Sequence, residues 1–191
     1  LLQKEGVFPE TFVGVKAYGT RYWSEFGVTY QAYVANGVSE FSAKEDVNEN
    51  KAIGGHLSFH LPTRGLVDSW DVGLSGYMES PPHAKRTHIW GAETQIRKGP
   101  WELLPEFAMR NAEEDRTGFY IQPSYRFNEK WTTFYRYDLL DVEDTGERQR
   151  HRLGVNYRPI TNISLKLEYF YARDPGDGGF SGVDGSVAIR F

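Results

Sequence analysis

The stretch Ile163-Ser164-Leu165-Lys166-Leu167-Glu168-Tyr169-Phe170-Tyr171 decides the fold class of this chain. Every second residue, from Ile163 through Leu165, Leu167 and Tyr169 to Tyr171, is apolar or aromatic. Ser164, Lys166, Glu168 and Phe170 stand between them. Successive side chains of a β-strand point to opposite sides of its sheet, so a period of two gives one apolar face and one charged face.

The same alternation recurs upstream. Leu153, Val155 and Tyr157 oppose Arg152, Asn156 and Arg158, and Trp131, Thr133, Tyr135 and Tyr137 oppose Thr132, Phe134, Arg136 and Asp138. Trp101, Leu103, Phe107 and Met109 oppose Glu102, Glu106 and Arg110. Further back, Trp70, Val72, Leu74 and Met78 oppose Asp71, Ser75 and Glu79, and Phe26, Val28, Tyr30, Ala32 and Val34 oppose Glu25, Thr29, Gln31 and Tyr33. The spacing predicts about 11 strands, at roughly 11–19, 24–36, 52–61, 70–79, 87–98, 101–111, 118–127, 131–142, 149–158, 163–173 and 183–191. Most are about 9–11 residues long, the length a tilted strand needs to cross a bilayer.

Their apolar faces carry essentially no charge, as contact with lipid demands: a charge there at mid-bilayer costs about 2–4 kcal/mol. The expected fold is therefore all-β, a transmembrane antiparallel up-and-down barrel, with residues 1–191 in one domain. A soluble sandwich alternates too, but its apolar face needs a second sheet to cover it.

Composition agrees. Hydrophobic residues are only 39% of the 191, yet aromatics reach 15%, a mixture suited to strands that show lipid every second residue. No apolar run approaches the roughly 18 residues of a spanning helix. Cysteine is absent, which excludes disulfides and thiolate chemistry, and a net charge of -4 gives no reason to expect nucleic acid.

Connections are expected to alternate between short ones, such as Lys98-Gly99-Pro100 and Asn128-Glu129-Lys130, and longer polar ones at 37–51, 80–86, 112–117, 143–148 and 174–182. Trp23, Trp70, Trp101 and Trp131 each read as following a short connection, which places them at one membrane interface as an aromatic girdle. Pro105 and Pro123 fall inside strands, nearly opposite each other, and predict a bulge or a weakened ladder. Residues 1–10 do not alternate and carry no leader-like pattern. With an odd strand number, this predicts further strands before residue 1.

The last strand, Val183 to Phe191, ends on an aromatic residue and resembles the C-terminal signal strand of bacterial outer-membrane proteins. Asn156-Tyr157-Arg158-Pro159-Ile160-Thr161-Asn162-Ile163 through Tyr169 resembles the penultimate hairpin of porins related to the phosphate-selective family. Val13 to Gly19, followed by Tyr30 to Gly37, resembles the middle of that group. The resemblance implies an outer-membrane location, recognition of Phe191 by the barrel assembly machinery, a barrel of about 16 strands and a homotrimer. It also implies passage of small hydrophilic solutes or anions.

The expected pore-lining residues are Lys16, Arg97, Arg110, Arg126, Arg136, Arg152, Arg158 and Lys166, with Glu102, Glu106, Asp138 and Glu168. Glu25, Asp71, Glu79, Glu93 and Arg190 read as inward too. From residue 126 onward the inward groups are mainly basic, and upstream they are mainly acidic. Opposed signs set up a transverse field, and basic groups favour anions. The alternative use of the same charges is a cross-strand lattice that stiffens the wall. Within their own strands, Arg136/Asp138 and Lys166/Glu168 neutralise each other, whereas Arg126, Arg152 and Arg158 have no partner.

No catalytic motif, cofactor site or metal site is expected. His56 and His60 share a face but lie about 13 Å apart in a strand, too far to hold one ion. Glu113-Glu114-Asp115 reads as a solvated loop. The rival to a diffusion porin is a non-conducting barrel that anchors a complex at the surface.

Overall fold

The computed structural model describes residues 13–36, 51–80, 85–176 and 178–190. The readings made at 1–12, 37–50 and Phe191 lie outside them. Eleven strands follow in order: β1 Gly14–Trp23, β2 Phe26–Ala35, β3 Ala52–Leu61, β4 Ser69–Glu79, β5 Thr87–Lys98 and β6 Trp101–Asn111. They continue with β7 Arg116–Arg126, β8 Trp131–Val142, β9 Gly146–Ile160, β10 Ile163–Asp174 and β11 Gly178–Ile189. They form one antiparallel up-and-down sheet in sequence order, with β1 and β11 as its edges.

Register keeps the two faces apart across the whole sheet. One apolar row runs Leu103–Pro123, and another runs from Tyr135 through Leu153 and Tyr169 to Val183. The row Val28–Phe59–Val72 does the same on the other side of the sheet. Leu57, Leu74, Trp90, Leu153, Leu167 and Val183 are exposed on this face, which is what lipid contact requires. Polar residues also stand on this face, Arg21, His88 and His151 among them. Arg21 sits two residues from the rim, with its guanidinium 5.2 Å from the Trp23 ring, an arrangement that keeps the charge near the interface. His151 accepts or donates a 2.7 Å hydrogen bond with the Tyr135 hydroxyl and lies beside the Tyr137 ring.

Several strand ends differ from expectation, for physical reasons. β9 starts at Gly146 because Glu147, Arg148, Gln149 and Arg150 continue the ladder while being polar on both faces. β11 starts at Gly178, where glycines erase the alternation but still pair with Tyr171 to Asp174. β1 runs on to Trp23, so the first turn is Ser24-Glu25. Glu25 is thus a turn residue rather than an inward strand residue, and Trp23 precedes its turn. Among the turns 24–25, 62–68, 99–100, 127–130 and 161–162 of one rim, 62–68 is the exception in length, longer than 112–115 and 143–145 on the opposite rim.

The prolines weaken ladders without shifting register. β6–β7 pairing is continuous from Trp101/Tyr125 to Arg110/Arg116. Pairing lapses between Glu93/Glu106 and Ile96/Leu103 on the β5 side of Pro105, and between Ile121/Tyr137 and Ser124/Phe134 on the β8 side of Pro123. Each missing N–H thus falls on the strand's other side. The bulge is elsewhere, between Ile163 and Leu165 of β10 and the Pro159 segment of β9.

Candidate inner wall and its charged basin

The polar face is built in bands. At the rim of the short turns, backbone bonds knit three connections together. Arg126 N–H donates to Pro100 O at 2.9 Å, and Arg158 N–H donates to Lys130 O at 2.7 Å. Asn128 Oδ1 accepts from Lys130 N–H at 2.9 Å and from Trp131 N–H at 3.0 Å, which closes the β7–β8 turn. These bonds seat Arg126, Lys130 and Arg158 around a cavity of about 540 Å³ shared with Arg97, Glu102 and Phe134. Arg97 is tied to Glu102 by bonds of 2.9 and 3.0 Å. The side chains of Arg126, Lys130 and Arg158 make no ion pair among the described residues.

One band further in, the cations are tied down. Arg136 binds Asp138 Oδ1 through Nε and Nη2, both at 2.7 Å, and lies 3.8 Å from the centre of the Tyr120 ring. Arg152 Nε is 3.6 Å from the other oxygen of Asp138, a carboxylate buried from solvent. Lys166 pairs with Glu168 at 2.5 Å and stands 5.1 Å over the Phe134 ring. That ring fills the space over Gly154, where a Cβ would come within 2.3 Å of it. Arg152 has no partner within its own strand, as expected, but it does have one across the ladder. Its counter-ion is on β8, a contact that reading one strand at a time cannot supply. Arg152 is mid-strand in β9.

Toward the other rim the same face turns apolar. Ala52, Tyr77, Ile89, Ala108, Leu140 and Val142 form a buried cluster, flanked by Tyr33 and Tyr120. The Tyr77 hydroxyl donates to Glu79 at 2.7 Å. This cluster was missed, although Leu139-Leu140 and Asp141-Val142 break the alternation and could have flagged it. Arg110 lies in that region, opposite Ile89 and Arg116. Glu106 pairs in register with Glu93 and Tyr120. Lys16 stands on edge strand β1, 5.2 Å from the Tyr18 ring.

The carboxylates of the 112–115 connection are engaged rather than merely solvated. Glu114 binds Arg116, and Asp115 accepts from Ala112 N–H at 3.0 Å and faces Lys85 at 3.8 Å. The Ala112 amide, more than any other group, holds the Asp115 carboxyl below the usual range.

On the apolar face, all four expected tryptophans stand at the short-turn rim. Trp131 stacks on Tyr157 at 4.3 Å and Trp101 meets Tyr125 edge-on at 4.7 Å. Trp23 stacks on Phe26 at 6.2 Å, and Trp70 Nε1–H donates to Thr94 at 3.0 Å.

An up-and-down sheet with a lipid-type apolar face, tryptophans along one rim and a charged opposite face defines a β-barrel protein of the bacterial outer membrane. The chain belongs to the family of phosphate-selective porins O and P, whose pattern matches residues 74–175. Among solved structures it is similar to the anion-selective porin from Comamonas acidovorans, with a TM-score of 0.64, 12% identity, and coverage of 92% of this chain and 58% of that one. It is also similar to a porin refined at 1.8 Å resolution, with a TM-score of 0.62, 12% identity and 90% and 60% coverage. A third is the loop L8 deletion mutant of OmpT of Vibrio cholerae, with a TM-score of 0.59, 13% identity and 92% and 62% coverage. At these identities the likeness is one of fold, and the chain spans about three-fifths of those proteins' length. No curated protein matches it in sequence.

Proposed function

We propose that residues 1–191 belong to one barrel domain of an outer-membrane channel that passes small hydrophilic solutes passively, with a weak preference for anions. The single observation that carries this is the basin at the short-turn rim, where Arg126, Lys130 and Arg158 line an open cavity and make no ion pair among the described residues, while its carboxylates are Glu102, already tied to Arg97, and Glu129. Basic groups in a pore wall concentrate anions and repel cations. The preference is weak because the neighbouring cations are spent on Asp138, Glu102 and Glu168. In this reading the inner-face residues line the pore and Trp23, Trp70, Trp101 and Trp131 form the periplasmic girdle. Lipid covers the outer face. Membership of the family supports a channel, and the family's trimeric habit extends to this protein as part of the same proposal.

Planar-bilayer recording of the intact protein tests it. Stepwise conductance with a reversal potential slightly on the anion side is the expected result. A correctly folded but silent barrel would overturn it and favour a surface anchor.

A further inference from the structure

Of the four described histidines, His88 and His151 lie on the apolar face, and only His56 and His60 lie on the inner one. Both stand on β3, and each meets a carboxylate from another strand, β4 for His60 and β5 for His56. His60 Nδ1 contacts Asp71 of β4, its Nε2 is 3.4 Å from Thr29 Oγ1 of β2, and its ring stacks on Tyr22 of β1 at 5.5 Å. His56 Nδ1 is 2.9 Å from Ser75 Oγ of β4, and its Nε2 is 3.6 Å from Glu93 of β5, with Gln31 of β2 in register. A second cavity, of about 470 Å³, is lined by His60, Asp71, Glu93, Tyr120 and Arg97. Arg97 also lines the basic basin, so the two cavities adjoin.

The charges facing these histidines are Asp71, Glu93 and Arg97; Arg97 is already matched by Glu102, and Glu93 stands in register with a further carboxylate, Glu106 of β6. Tyr22 of β1 and Tyr120 of β7 are the tyrosines beside them. With both imidazoles neutral, Asp71 and Glu93 leave two uncompensated negative charges beside the basin. Nδ1–H of His60 then donates to Asp71, and Nε2 accepts from Thr29. Protonation turns both nitrogens of each ring into donors and adds a positive charge beside each carboxylate. At physiological salt, charges act over about 8 Å, so an ion passing the wall meets the sum.

We infer that His56 and His60 set the ion preference of this channel, as titratable determinants that cancel Asp71 and Glu93 when protonated and leave Arg126, Lys130 and Arg158 in control of passage. The inference rests on the channel reading above and deepens it. Acidification strengthens anion preference, and mildly alkaline conditions bring the wall close to balance.

Reversal potentials of the intact protein in a low-salt gradient test this. Between about pH 8 and about pH 5, the anion-to-cation permeability ratio of the wild type should rise about twofold. The His56→Gln/His60→Gln double variant should conduct with a flat profile over that range. Each single variant should remove about half of the shift, which keeps the test valid if the double variant fails to fold. A conducting wild type with a flat profile would overturn the inference and leave the channel reading standing. So would variants that keep the full shift. A folded barrel silent at every pH would overturn the channel reading and this inference with it.

Discussion

Arg136 and Arg126 sit on the same face of adjacent strands, yet the structure uses them in opposite ways. Arg136 is locked between Asp138 and the Tyr120 ring, with Arg152 closing the far side of the same carboxylate. Arg126 has its backbone fixed by Pro100 and its side chain free beside Lys130 and Arg158. The middle of the wall ties its cations to carboxylates, Arg136 within β8, Lys166 within β10 and Arg152 across from β9 to β8, while the rim keeps its cations for the solution. Counting inward-facing charges therefore misstates the field an ion meets, because only untied groups contribute at full strength.

The largest expected effect breaks the tied region. Asp138→Ala leaves Arg136 and Arg152 in a partly buried site without their shared counter-ion and should cost about 3–5 kcal/mol of stability, read by denaturant unfolding in detergent. Glu129→Ala at the free rim should leave the unfolding midpoint unchanged, and a comparable loss there would erase the distinction between the two regions.

A middling effect tests what holds the rim in place of ion pairs. Trp131→Ala removes the stack on Tyr157, beside the turn that seats Lys130 and Arg158. It should cost about 1 kcal/mol in the same assay, the worth of one aromatic pair. A loss as large as that of Asp138→Ala would mean the rim depends on this pair far more than the geometry implies.

The smallest effect lies at the opposite rim. The Ala112 amide depresses the Asp115 carboxyl, so this contact is fully present above the ordinary aspartate range and is lost as pH falls through the lowered value. Amide exchange at Ala112 should therefore quicken only in strong acid. Asp115→Asn should flatten that dependence, and a change near neutrality would point to another group.

Strand alternation disclosed the fold, because lipid on one side and charge on the other impose a period of two along every membrane-crossing segment. It was blind where that contrast ends. Gly146 to Arg150 extend β9 with polar residues on both faces, and Gly178 to Gly182 extend β11 with little side chain to read. Within the candidate site, pairs two apart on one strand, Arg136/Asp138 and Lys166/Glu168, were legible because a period of two makes them neighbours. The Arg152–Asp138 contact, the His56–Glu93 and His60–Asp71 pairs, and the apolar cluster at Ile89, Leu140 and Val142 all depend on register between strands. A single strand's pattern does not encode that register.

The central claim is that free rim cations, and not tied mid-wall cations, set ion preference. Reversal potentials of Arg126→Gln/Arg158→Gln and of Arg136→Gln, measured in the same low-salt gradient, test it most directly. The double rim variant should lower the anion-to-cation permeability ratio about twofold, and the difference should vanish near 1 M salt, where the screening length is about 3 Å. Arg136→Gln should lower stability and leave that ratio in place. A rim variant with unchanged ratio and intact conductance, or a mid-wall variant with the larger shift, would contradict the account.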